Sequence, residues 1–109
     1  MNHDVKKENG FRSILNVNRL VHEPARLLIL AILESIKNAD FLFLQKQTGL
    51  TRGNLSSHLS KLETFGYIEI KKEFVEKIPR TLLAITDLGR TEFMQYCEST
   101  AQFLEDCMK

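Results

Sequence analysis

Apolar residues recur along the second quarter of the chain at three- and four-residue steps. Leu28, Ile29, Ile32, Leu33 and Ile36 fall on one wide face, the period of an amphipathic helix. Pro24 precedes them, and proline is tolerated in a first helical turn because its missing N–H has no partner there. A helix is therefore predicted from Pro24 to about Lys37. Upstream, Phe11, Ile14, Leu15, Val17 or Asn18, and Val21 follow similar steps and predict a short amphipathic helix. Downstream, Phe41 and Phe43 alternate as in a very short strand, and Leu44 to Thr48 predict a short helix closed by Gly49. Leu55, Leu59 and Leu62 then define a buried line on a helix whose N-cap is Thr51 and whose left-handed stop is Gly66.

Alternation takes over after Gly66. Tyr67, Ile68 and Ile70, then Thr81, Leu83 and Ile85, predict two strands around a charged tip containing Lys77, Pro79 and Arg80. A long final helix, about 87–108, opens at Thr86 as N-cap with Asp87 in its first turn, where a negative charge meets the positive end of the helix dipole. Its stripe is broad: Phe93, Cys97, Thr100, Leu104 and Cys107, flanked by Tyr96, Phe103 and Met108. Residues 1–10 are polar and aperiodic and read as a flexible arm, leaving 11–109 for a single domain.

Composition narrows the class. The longest apolar run, Leu27 to Leu33, is far shorter than the ~20 residues that cross a bilayer. The N-terminus lacks the basic-then-apolar layout of a secretory signal, so no membrane partner and a cytoplasmic location are expected. The net charge of +1 is unevenly spread: residues 52–80 hold six Lys or Arg against four Glu, whereas 87–109 hold two against five acids. The region around the short-polar helix is basic and the last helix acidic.

That short-polar helix raises a question of its own. "TRGNLSSHLSKLE" carries Gly53, Asn54, Ser56, Ser57, Ser60 and Lys61 outside the leucine line, where a merely solvated helix would carry Glu/Lys pairs at four-residue spacing. The element order is helix, tiny strand, helix, helix, hairpin, helix. It describes a winged helix-turn-helix, mainly α with a small β-hairpin, in which the third core helix can enter a DNA groove. Small polar side chains suit base edges, and a row of acids there would repel the flanking phosphates.

"EPARLLILAIL", "FLFLQKQTGLTRGNLSSHLSKLETFGYIEI" and "IPRTLLAITDLGR" together resemble the small winged-helix transcriptional regulators related to the MarR and ArsR groups, over roughly residues 20–95. The resemblance implies a homodimer that binds double-stranded DNA, most often as a repressor, with a recognition helix about 52–65 and a wing about 74–81. Matched position by position, Arg52, Asn54, Ser56, Ser57 and Lys61 fall on the reading helix and Lys77 and Arg80 on the basic wing; Thr51, the N-cap, joins them as a candidate DNA-binding residue. Asn and Ser suit base edges; Lys and Arg suit phosphates. His58, close to the leucine line, suits either a phosphate contact or a structural hydrogen bond at the helix edge.

Dimerisation through N-terminal and long C-terminal helices assigns Phe11, Leu15, Phe93, Tyr96, Cys97, Thr100, Phe103, Leu104 and Met108 to the subunit contact. The three histidines and two cysteines lack metal-ligand spacing, so no metal, no cofactor and no ArsR-type metal sensing are expected. Acidic neighbours Glu98, Glu105 and Asp106 argue against reactive thiols at Cys97 and Cys107. No catalytic motif is present, so no enzyme is expected. A small-molecule effector would require a pocket that sequence does not reveal. The competing reading is a protein-interaction adaptor on the same fold, without specific DNA binding.

Overall fold

The structure, a computed structural model, describes residues 11–109; the predicted arm, residues 1–10, lies outside the described residues. A 3-10 turn, Ser13–Asn16, leads to helix α1 (Pro24–Ser35), strand β1 (Ala39–Asp40), helix α2 (Phe41–Thr48) and helix α3 (Arg52–Thr64). Strands β2 (Ile68–Val75) and β3 (Ile78–Ile85) form the hairpin, and helix α4 (Asp87–Cys107) follows. The sheet is antiparallel with order β1-β3-β2; Ala39 pairs with Leu83, and Ile68 with Ile85. This is the expected winged helix.

Each helix begins on a side chain that satisfies free first-turn N–H groups. Glu23 accepts from Ala25 and Arg26, Asp40 from Phe43, Thr51 from Asn54, and Thr86 from Gly89. Gly49 closes α2 in the left-handed conformation, and Gly66 takes the same conformation after α3. The core joins Val21, Ile29, Leu30, Leu33 and Leu44 to Leu55, Leu59, Leu62, Ile68 and Leu83, with Phe93 and Tyr96 of α4 closing it.

Several local expectations are corrected. The segment Phe11–Val21 is not one helix: Val17 is extended, and the Asn18 side chain accepts from the N–H groups of Leu20 and Val21, so a side-chain turn replaces helical bonding. Helix α1 ends at Ser35 rather than Lys37, because Ile36 is already extended. Its buried face is Ile29, Leu30 and Leu33, while Leu28 is exposed. Phe41 and Phe43 belong to α2, since the Asp40 cap starts a helix where alternation suggested a strand; the strand is Ala39–Asp40. Pro79 and Arg80 lie in β3, and only Glu76 and Lys77 form the turn.

The packing of α4 onto the start of the hairpin needs a glycine. A Cβ on Gly89 would collide with the carbonyl group of Tyr67, whereas a Cβ on Gly53, in the first turn of α3, would meet open space. Gly89→Ala is therefore expected to lower the unfolding free energy by about 2–3 kcal/mol through overpacking. Gly53→Ala should instead raise it by roughly 0.5 kcal/mol through helix propensity. Urea unfolding of the two variants beside the parent measures both, and equal effects would show that Gly89 is not under steric constraint.

Candidate nucleic-acid interface

Helix α3 is fixed in rotation by what it buries. Leu55, Leu59 and Leu62 enter the core, and Thr51 Oγ1 accepts from the Asn54 N–H at 3.2 Å. Arg52, Asn54, Ser56, Ser57, Ser60 and Lys61 are consequently exposed. From Arg52 to Leu62 the helix contains no acidic residue. The Arg52 guanidinium lies over the Phe41 ring, 5.3 Å from its centroid, which holds one cation at the start of this face.

The hairpin stands beside α3. Its turn residues Glu76 and Lys77 both have positive φ, 52° and 67°, the geometry of a two-residue turn whose twist matches the strands. Lys77 is exposed at the apex. Arg80, the third residue of β3, donates to Asp40 Oδ2 at 3.1 Å and is tied to β1. In the register, Ile70 faces Leu83 and Lys72 faces Thr81, so strand alternation puts Lys72 on the face that continues outward from the core.

Between α3 and the hairpin runs a groove of about 710 Å³ with Leu59, Ile70 and Leu83 among its lining. Arg52, Ser56 and Ser60 line it from the helix, and Lys72, Arg80 and Thr81 from the strands. The structure thus brings Arg52, Ser56 and Arg80 to one groove. Asn54, Ser57 and Lys61 are elsewhere on the exposed surface of α3, and Lys77 is at the hairpin apex. Lys72 and Ser60 were not assigned to the interface from sequence. The signal for Lys72 was present, since the step of two from Ile68 and Ile70 reaches it.

His58 is turned toward α1. Its Nδ1 lies 3.1 Å from Arg26 Nη1 and 3.4 Å from a Glu23 carboxylate oxygen, so it joins α3 to the start of α1. At Glu23, burial raises the carboxyl pKa, but the N–H groups of Ala25 and Arg26 and the charges of His58 and Arg26 outweigh it and leave the pKa lowered. At Asp40 the Phe43 N–H holds the pKa below its ordinary value of 3.8; burial opposes this and the bonded Arg80 reinforces it.

The stripe assigned to dimerisation divides in two. Phe93 and Tyr96 are buried in the protomer's own core, and Tyr96 Oη lies 2.8 Å from His22 Nδ1. Leu15, Leu104 and Met108 are 67%, 53% and 87% exposed. Phe11, Cys97, Thr100 and Phe103 are half-buried, and the Thr100 hydroxyl is shielded without a hydrogen-bond partner among the described residues. Burial, with a contribution from Glu98, raises the Cys97 thiol pKa and disfavours its thiolate; Cys107 is exposed. Among the described residues no group of three or more His, Cys, Asp or Glu could hold a metal ion, and no helix is long and apolar enough to cross a membrane.

Residues 25–104 match the family model described as a winged helix DNA-binding domain. The chain belongs to this winged-helix family. A relative in Methanocaldococcus jannaschii, an uncharacterized protein, is 36% identical over 78 residues, 72% of this chain and 85% of its own length. The transcriptional regulator homologue protein of Pyrococcus horikoshii has a similar structure, with a TM-score of 0.81 and 31% identity, covering 89% of this chain and 95% of its own. Apo MarR of E. coli shares the fold, with a TM-score of 0.68 and 20% identity over 94% of this chain and 73% of its own. The resemblance read from sequence therefore holds at the level of the winged helix DNA-binding domain, and MarR shares its fold.

Asp40, in the lining of the groove, caps α2 and holds Arg80 of the hairpin. Asp40→Ala should cost about 0.5–2 kcal/mol at neutral pH, the range for losing an N-cap. Because the folded-state pKa is depressed, the stabilisation is complete above the unfolded aspartate value and is lost as pH falls through the folded value. The gap between parent and variant should therefore close in acid. Unfolding midpoints at neutral pH and below pH ~3, beneath the ordinary aspartate range, check this; a gap that persists in acid would contradict the assignment.

Proposed function

We propose that the protein is a homodimeric, sequence-specific regulator that represses transcription by occupying double-stranded DNA, with α3 in the major groove and the hairpin on the backbone or in the minor groove. The observation that carries this is the outward face of α3: short hydrogen-bonding side chains between the cations Arg52 and Lys61, with no acid from Arg52 to Leu62. It is bordered by a groove that Arg52, Lys72 and Arg80 line and in which Asp40 pairs with Arg80. A phosphate strand laid in that groove would meet cations from both sides while Asn54 and Ser57 reach base edges. The family description and the regulator homologue of Pyrococcus horikoshii support the same reading.

Base readers and phosphate holders leave different signatures. Against a duplex selected from a random pool, Asn54→Ala or Ser57→Ala should cost about 1–3 kcal/mol on the preferred site and little on random DNA. Lys72→Ala and Lys77→Ala should weaken both alike and reduce the slope of log affinity against log salt by about one unit for each lost phosphate contact. If no sequence is enriched at moderate salt, the adaptor reading takes precedence. If the lysine variants change which sequence is preferred and the helix variants do not, reader and anchor are interchanged.

The dimer rests on exposed apolar side chains at both ends of the described chain. Leu15, Leu104 and Met108 leave apolar surface in water that a second copy would cover. Two equivalent reading helices would then meet half-sites about one helical turn apart, ~34–36 Å. Sedimentation at micromolar concentration should show a dimer that Leu104→Arg with Met108→Arg converts to monomer without loss of helical signal. A parent that sediments as a monomer would remove the dimer from the proposal.

A further inference from the structure

We propose that the apolar end of the hairpin is a wedge that enters the DNA minor groove and unstacks a base step; this rests on the DNA-binding reading above. The last two rungs of the ribbon are Phe74 opposite Pro79 and Val75 opposite Ile78. Successive strand residues point to opposite faces, so both faces of the ribbon are apolar just below its turn. Phe74 is 76% exposed and Ile78 63% exposed. A hairpin used only to hold phosphates has no use for these side chains, because phosphate contacts are made by cations and N–H or O–H donors.

The charge around this end selects a polyanion as the occupant. Lys71, Lys72, Lys77 and Arg80 surround or back the apolar rungs, against Glu73 and Glu76. Glu73 lies 3.9 Å from Lys71, and Arg80 is paired with Asp40. Lys72 and Lys77 make no ion pair among the described residues. A partner of apolar protein surface would have to desolvate these two ammonium groups, whereas DNA supplies phosphates to them on either side of a groove. The two-residue turn keeps the ribbon narrow at its apex. The minor groove is only about 6 Å wide, and Phe, Ile and Pro are the side chains that architectural proteins insert between its base steps. The same ribbon continues inward to Lys72 and the groove beside α3, so one DNA segment would run past both.

The test uses the intact chain and duplexes that it selects from a random pool, labelled at both ends for energy transfer and carrying 2-aminopurine at successive positions. Binding should raise 2-aminopurine fluorescence at a step flanking the preferred site and shorten the end-to-end distance, with a bend of about 20–90°. Phe74→Ala alters a side chain that stands in solvent. It should fold as the parent and, on duplexes saturated with protein, lose both the fluorescence rise and the bend; Phe74→Leu should keep them. DNA bound by the parent with no fluorescence rise, or with a rise that survives in Phe74→Ala, overturns the wedge and leaves the DNA-binding reading intact. Failure of the parent to bind any duplex overturns both. If Phe74→Ala changes only self-association in sedimentation, the hairpin end serves a second copy of the chain and the wedge is wrong.

Discussion

The carbonyl group of Tyr67 is where the working parts of the molecule meet. It accepts the Thr86 N–H at 3.0 Å, while Thr86 Oγ1 donates to the neighbouring Gly66 carbonyl at 2.6 Å. Gly89, in the first turn of α4, packs against the same carbonyl, leaving no room for a side chain. From the other direction, the Tyr67 N–H reaches back to Leu62 at the end of α3. The exit of α3, the open end of the hairpin and the beginning of α4 are thus joined within a few ångströms. Since Tyr67 is buried, each of these backbone groups needs its partner. The angle between the polar helix face and the hairpin follows from this junction.

A second set of contacts ties the N-terminal segment to the same place. Asn18 Nδ2 donates to Tyr67 Oη at 2.7 Å and to a Glu92 carboxylate oxygen at 3.1 Å, while its Oδ1 shapes the turn before α1. Glu23, Arg26 and His58 then connect the start of α1 to the middle of α3. Both networks use side chains that the apolar pattern passes over, and both orient α3 by contacts remote from its exposed face.

Where apolar period and a cap agreed, the fold was legible in the sequence. Thr51 with the leucine line gave α3, Thr86 with the broad stripe gave α4, and two alternating runs gave the hairpin. Where two local signals competed, periodicity misled: Phe41 and Phe43 alternate, but Asp40 caps a helix beginning there. In the N-terminal segment the side chain of Asn18 supplied bonding that a helix would have taken from its own backbone. Of the candidate interface, the α3 side chains could be picked out because rotation about a helix is fixed by its buried line. Lys72 needed the strand register, and the inward turn of His58 needed the position of Glu23, a contact between residues 35 positions apart. The split of the α4 stripe depended on how far the core reaches along the helix, which periodicity alone does not set.

The clamping of α3 at its middle and at its exit has a mechanical consequence. With Leu55, Leu59 and Leu62 in the core and its exit tied through Tyr67 to α4, α3 is held to the body of the protomer at both places. The junction also fixes α3 to one end of the 21-residue α4, an arm about 31 Å long at 1.5 Å per residue. A tilt of roughly 10° at one end of that arm displaces the other by about 5 Å, close to the pitch of one helical turn. In such a body, a small rotation at the far end of α4 is converted into a large displacement of α3.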